Sequence, residues 1–213
     1  LMAADLEPPK RIFAHGWWTN EGQKISKSLG NIIDPYEIIT KYGLDQIRYF
    51  LFREVPFGND GDFSKESIKQ RINADLSNNF GNLVQRVCLF IKKNCESEIL
   101  NIFSENEDDK KLFDLSTTLF EKYIASMEYQ EIDKALRYIF EFLSQINSYI
   151  DKQEPWKLKN NNLERMNQVL SVSIELIRRT SILLYPIMPD SINKIFKIIN
   201  VDLNEVNLQN YNI

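Results

Sequence analysis

The chain has 213 residues, 43% of them hydrophobic and 12% aromatic, enough to bury one good core or one domain and part of another. Its net charge of -4 argues against a general polyanion binder, and no run approaches the roughly 18 uncharged apolar residues of a membrane span. The first residues, Leu1-Met2-Ala3-Ala4-Asp5-Leu6-Glu7, lack the basic start and apolar centre of a signal peptide, and a start at Leu rather than Met suggests a cut from something longer.

Cys88 and Cys95 are seven apart in what reads as one helix, so their Cα atoms would lie roughly 10 Å apart, too far for a disulfide. Two free, half-buried thiols fit a cytoplasmic protein. With His15 the only histidine and no Cys/His cluster, no metal site is expected.

The average charge hides a pattern. Residues 64–94 carry Lys65, Lys69, Arg71, Arg86, Lys92 and Lys93 against Glu66 and Asp75, a local +4. Residues 96–134 carry eleven acids against four lysines, and residues 147–179 return to +2. A nucleic-acid partner would dock on the two basic stretches with the acidic one turned away; ordinary solvated helix faces explain the charges equally well.

In chain order, Pro8-Pro9 ends an irregular lead, and Arg11-Ile12-Phe13-Ala14-His15 reads as a short buried strand continuing through Gly16 to Thr19. Asn20-Glu21-Gly22 is a turn into Lys24-Ile25-Ser26-Lys27-Ser28, a polar segment that suits a mobile loop able to hold phosphate oxygens. Asp34 can cap a helix with Pro35 at its first position and Glu37 reaching back, and Gly43 closes it. A second helix covers residues 44–54, followed by a tight connection at residues 58–61.

From Ser64 onward the period is helical. One long helix carries the stripe Ile68, Ile72, Leu76, Phe80, Leu83, Val84, Val87 and Ile91, with Gly81 inside it marking a bend or a close approach. After an acidic irregular link at residues 96–109, helices are expected at about 110–128, 130–152, 163–184 and 190–199, with a polar loop at residues 157–162. The fold class is mainly α: a helical bundle of about five helices, preceded by a small piece of mixed structure.

Three side chains stand apart. Asn82 and Arg86 share a helix face at i, i+4, where an amide and a guanidinium can read an unpaired base and hold its phosphate. Trp156 follows Pro155 after a helix end, so its indole either stacks on a splayed base or closes the end of the core.

His15-Gly16, Gly22, Lys24-Ile25-Ser26-Lys27-Ser28, Gly30-Asn31 and Asp34-Pro35 together resemble the second signature loop of class I aminoacyl-tRNA synthetases, with Ile25 in place of the usual Met. Gly43-Leu44-Asp45 with Arg48-Tyr49-Phe50-Leu51 is similar to the helix that follows this loop. Asn73-Ala74-Asp75-Leu76, Gly81-Asn82-Leu83, Arg86, Asn147-Ser148-Tyr149 and Pro155-Trp156 narrow the resemblance to the bacterial methionyl-tRNA synthetases.

That resemblance implies that residues 1–62 are the C-terminal remnant of an α/β (Rossmann-type) catalytic domain. Residues 63–200 would be the anticodon-binding bundle and residues 201–213 a tail. It implies ATP with Mg2+ as substrate, bound by Lys24, Ser26, Lys27, Ser28, His15 and Gly16, with Lys24 and Lys27 catalytic. It implies the CAU anticodon of tRNA(Met) as partner, read by Asn82, Arg86 and Trp156. The His-Ile-Gly-His signature and methionine pocket of the family are absent from this sequence, so adenylate formation by these 213 residues alone is not expected. The competing readings are another class I synthetase and a non-catalytic helical interaction module.

Overall fold

Trp18–Asn20 (β1) organises the front of the molecule, in a computed structural model that describes residues 1–95 and 106–212. β1 pairs antiparallel with Gln23–Lys24 (β2) and parallel with Gly61–Asp62 (β3), in the order β2-β1-β3. The β1–β2 hairpin turns on Glu21 and Gly22, both at positive φ (51° and 77°), the handedness that matches strand twist. Asp62 Oδ1 accepts from the Thr19 hydroxyl (2.6 Å) and from the Gly22 N–H (2.7 Å), tying β3 to the hairpin.

The strand expected at residues 11–15 does not form. Ile12 is 87% exposed, and Phe13 stacks on Phe57 with ring centroids 4.9 Å apart instead of facing a core. The parallel ladder begins only at Trp17, whose N–H donates to Asp60 and whose carbonyl accepts from the Gly61 N–H. Just before it the backbone is pressed so close that a Cβ on Gly16 would fall 2.1 Å from the Asn59 carbonyl oxygen. The apolar run at residues 12–13 is therefore apolar without being interior.

Pro35–Tyr42 (α1) starts as its sequence dictates, with Asp34 Oδ1 accepting from the Tyr36 N–H at 2.8 Å. The reciprocal bond from Glu37 is not made among the described residues, so the cap is single-sided. Leu44–Glu54 (α2) buries Ile47 and Phe50 with Phe63 and Ile68, against Trp18 and α1. Its other face belongs to the bundle. Arg48 donates to the carbonyls of Pro186 (2.7 Å) and Ile187 (2.8 Å), and buried Asp45 accepts from the Ser191 N–H (2.6 Å). The Tyr49 hydroxyl donates to Asp75 (2.6 Å), and burial is the main cause holding that phenol far above its ordinary range. α2 is thus a shared wall between the sheet and the bundle.

The long helix is three pieces: Lys65–Arg71 (α3), capped by Ser64 through the Ser67 N–H, a π-helical segment Ile72–Gly81, and Asn82–Asn94 (α4). Ile68, Ile72, Leu76, Phe80 and Val84 recur every four residues, a spacing that would drift by about 40° per step around a pure α-helix. Across the wider i→i+5 turns the stripe passes from one core to the other: Ile68 and Ile72 pack in the front cluster, and Leu76, Phe80 and Val84 in the bundle core. The same widening explains Gly81, where a Cβ would sit 2.9 Å from the Leu76 carbonyl oxygen five residues back. In an exposed α-helix Gly→Ala stabilises by about 1 kcal/mol. Here Gly81→Ala is expected to destabilise by a similar amount, read as a lower urea midpoint.

Glu107–Glu128 (α5), Ile132–Gln153 (α6), Leu163–Leu184 (α8) and Pro189–Ile198 (α9) complete the bundle. Leu119, Leu136, Ile139, Leu143, Ile146, Leu176 and Phe196 belong to its buried core. Of the acidic link expected at residues 96–109, residues 96–105 lie outside the described residues, and Glu107–Asp109 are already helical after an Asn106 cap. The polar loop expected at residues 157–162 is instead a short helix, Pro155–Asn161 (α7). Pro155 starts it, and Asn162 serves as the cap of α8 by accepting from the Arg165 N–H, so one asparagine separates two helices where three suggested a loop. The last residues are anchored: Tyr211 is fully buried, stacks on Phe120, and exchanges hydrogen bonds with Ser116. Both cysteines are free thiols, half-buried, and burial raises their pKa.

Candidate functional site

The Lys/Ser segment is shaped by its own backbone and by Asn31. Lys24 is the last residue of β2, and the chain then turns on Gly30 at φ 65°. Asn31 Oδ1 accepts from the Ser26 N–H (2.8 Å), its Nδ2 donates to the Lys24 carbonyl (3.0 Å), and its own carbonyl accepts from Asn20 Nδ2 (2.8 Å). One side chain therefore staples both ends of the loop to the hairpin. Inside it, the Leu29 and Gly30 N–H groups donate to the Ser26 and Lys27 carbonyls, and the Ser26 and Ser28 hydroxyls meet at 2.8 Å. Lys24 and Lys27 are exposed and form no ion pair among the described residues.

That arrangement leaves two uncompensated ammonium groups on a pre-formed turn, a chemistry suited to a polyphosphate. Asn31 appeared in the sequence pattern without a role; only its bonds reveal one. His15 is exposed, its Nδ1 donating to the Gly16 carbonyl (2.8 Å) and its ring facing Phe57. Its hydrogen bond and ring contact are with those neighbours and not with the loop.

At the other end, α4 begins at Asn82, which is exposed, with Arg86 one turn later on the same face. Arg86 Nη2 donates to Asp151 Oδ1 at 2.6 Å, which brings this face to the last turns of α6. Trp156 follows five residues after Asp151, at the second position of α7, and is 43% exposed above buried Pro155. Nothing in the sequence singled out Asp151, because its pairing depends on how α6 lies against α4.

Beneath this surface lies a buried network. Asp109, 1% exposed, accepts from Arg165 Nη1 (2.6 Å) and Nη2 (2.8 Å) and from the Tyr149 hydroxyl (2.7 Å). Burial and then the hydrogen bond to Asp109 push the Tyr149 phenol well above its ordinary range, and the bond to Asp109 keeps the Arg165 guanidinium firmly charged.

The two basic stretches separate in the folded chain. In residues 147–179, Lys152, Lys157, Arg165, Arg178 and Arg179 are paired with Asp108, Glu154, Asp109 and Glu175. In residues 64–94, Lys65, Lys69, Lys92 and Lys93 are exposed without an ion pair among the described residues. The unpaired lysines of the first stretch thus lie on α3 and on α4, the helix that carries Arg86, while in the second stretch Lys159 is exposed without an ion pair among the described residues.

Comparison with known proteins covers both ends. Residues 1–88 match the family model described as "tRNA synthetases class I (M)", and residues 103–210 match "Anticodon binding domain of methionyl tRNA ligase". A methionine–tRNA ligase of Brucella suis is 46% identical over 201 residues, 94% of this chain and 39% of that protein. One from Rickettsia felis is 44% identical over 210 residues, 96% of this chain and 41% of that protein. The chain therefore spans about two fifths of the length of the curated relatives it matches. Among solved structures, Mycobacterium tuberculosis methionyl-tRNA synthetase in complex with methionyl-adenylate superposes with a TM-score of 0.92 at 39% identity, covering 98% of this chain and 42% of that one.

These matches do not favour a different class I synthetase or a non-catalytic helical module. A lysine-rich staple loop on a small mixed sheet, joined through α2 to a helical bundle with an exposed tryptophan at one end, matches at both halves and in the fold as a whole: the chain belongs to the methionyl-tRNA ligase family of class I aminoacyl-tRNA synthetases.

Proposed function

We propose that this chain works in the ATP-dependent activation of methionine and its attachment to tRNA(Met), supplying the loop that closes over ATP and the surface that reads the CAU anticodon. ATP enters with Mg2+ as substrate. Lys27 neutralises charge that builds on the triphosphate as the methionine carboxylate attacks the α-phosphate, and Lys24 supports closure. Ser26 and Ser28 shape the turn, and His15 and Gly16 border the nucleotide. The setting is the cytoplasm; no helix among the described residues is long and apolar enough to cross a membrane.

The observation that carries the anticodon half is the Arg86–Asp151 pair, which joins the α4 face bearing exposed Asn82 to the end of α6, five residues before the exposed Trp156. An exposed indole that follows a buried, φ-fixed proline suits a platform for one splayed base, and Arg86 supplies a guanidinium for a phosphate or a base edge. A filter-binding titration of the chain with tRNA(Met) and with the same tRNA carrying an altered anticodon tests this. The chain is expected to prefer the cognate anticodon, and Trp156→Ala to weaken that binding by about 1–3 kcal/mol, the range for losing one stacked base. Equal affinity for the two tRNAs would refute the reading.

A further inference from the structure

We infer that Gln153, clamped between Asp108 and Arg165, is a positioning residue that aims Trp156 and so sets anticodon selectivity; the inference rests on the reading of Trp156 given above. Gln153 is the last residue of α6, three before the tryptophan. Both ends of its amide are engaged from different helices. Nε2 donates to Asp108 Oδ2 at the start of α5 (2.9 Å), and Oε1 accepts from Arg165 Nη2 (2.9 Å) and Nε (3.3 Å) on the first turn of α8.

Both partners are themselves bonded. Arg165 is held by the buried carboxylate of Asp109, which Tyr149 also binds, and Asp108 is bonded at both oxygens by Lys152. Starts of two helices and the end of a third are therefore locked at one point, and Gln153 sits at that point.

From Gln153 to Trp156 the chain has little freedom left. Glu154 lies in the left-handed region at φ 46°, ψ 59°, a conformation a non-glycine residue keeps only when its surroundings impose it. Pro155 has a fixed φ and is buried. The place and Cα–Cβ direction from which the indole projects are thus set by where Gln153 is held. The network also has little other reason to be where it is. A buried ion pair is a weak source of net stability next to a well-packed apolar core, and its best-attested use is to fix geometry. Here it fixes the one junction from which the exposed tryptophan is hung.

Gln153→Met keeps length and volume while removing both amide contacts, so the fold is retained. With 5-fluorotryptophan in the 213-residue chain, the 19F resonance of Trp156 is assigned by its loss in Trp156→Phe. Gln153→Met is expected to shift or broaden that resonance while leaving those of Trp17 and Trp18 in place. It is also expected to lower the affinity ratio between cognate and anticodon-altered tRNA by about fivefold, as for directly coupled neighbours. A lower melting temperature with an unchanged ratio and an unmoved Trp156 resonance would overturn the inference, since the clamp would then be only structural. Trp156→Ala runs alongside. If Trp156→Ala abolishes the ratio and Gln153→Met does not touch it, the inference alone fails. An unchanged ratio in Trp156→Ala means that the reading of Trp156 has failed and has taken the inference with it.

Discussion

Asp109→Ala is expected to destabilise the bundle by about 3–5 kcal/mol, the cost of stranding one member of a buried ion pair. Asp109 is 1% exposed and its carboxylate takes two hydrogen bonds from Arg165 and one from Tyr149. Removing it leaves a guanidinium whose side chain is only 13% exposed facing a cavity, and a phenol without its acceptor. Both consequences arise where α5, α6 and α8 converge, so the loss propagates to the whole bundle and not to one loop. For a chain of this size the midpoint of thermal unfolding should fall by roughly 6–20 °C. A fall of less than about 2 °C would show that the network relaxes around water and that the junction is not rigid.

Lys27→Ala is expected to slow adenylate formation by about 10²–10³, the usual loss when one pre-placed donor to a developing charge is removed. The test substitutes this chain for the segment it matches in the Brucella suis relative and follows methionine-dependent exchange of pyrophosphate into ATP. The physical case is that Lys27 is exposed, unpaired among the described residues, and carried on a turn already closed by the Gly30 and Leu29 N–H bonds and stapled by Asn31. Little reorganisation is needed to bring the ammonium to a phosphate, so its removal should fall on the chemical step and leave the KM for methionine nearly unchanged. Trp156→Ala in the same chimera should spare this exchange and weaken tRNA binding. Loss of both activities in either variant would contradict the division between the two ends of the chain.

Much of this was legible beforehand where the signal is local. Asp34, Pro35 and Ser64 mark helix boundaries because capping and proline chemistry act within a few residues. The stripe from Ile68 to Ile91 named the inward-packing residues, but it serves two cores, the front cluster up to Ile72 and the bundle from Leu76 on, across a π-helical segment that no single residue announces. The failures were of two kinds. Residues 11–15 have the composition of a strand but no partner strand, and pairing is not a property of the segment itself. Three asparagines at residues 160–162 resemble a loop, yet only the last interrupts the helices, since Pro155 nucleates α7 and Asn162 caps α8.

By itself the sequence determined the helical class of the bundle, the hairpin turn and the Lys/Ser loop, because each depends on spacing or short-range backbone chemistry; the three residues offered for anticodon reading came from the family resemblance. The tertiary structure alone decided which charges are free and which are spent. It paired Arg86 with Asp151 and Arg165 with Asp109, and left Lys24, Lys27, Lys65 and Lys69 exposed without an ion pair among the described residues. It also decided that Asn31 staples the loop, that Tyr211 belongs to the core, and that Gln153 is gripped from two sides. Asn31 aside, whose partners lie within its own loop and hairpin, the physical reason is the same: an ion pair or a buried amide needs two groups within about 3 Å, and groups far apart in sequence reach that distance only through the packing of whole helices.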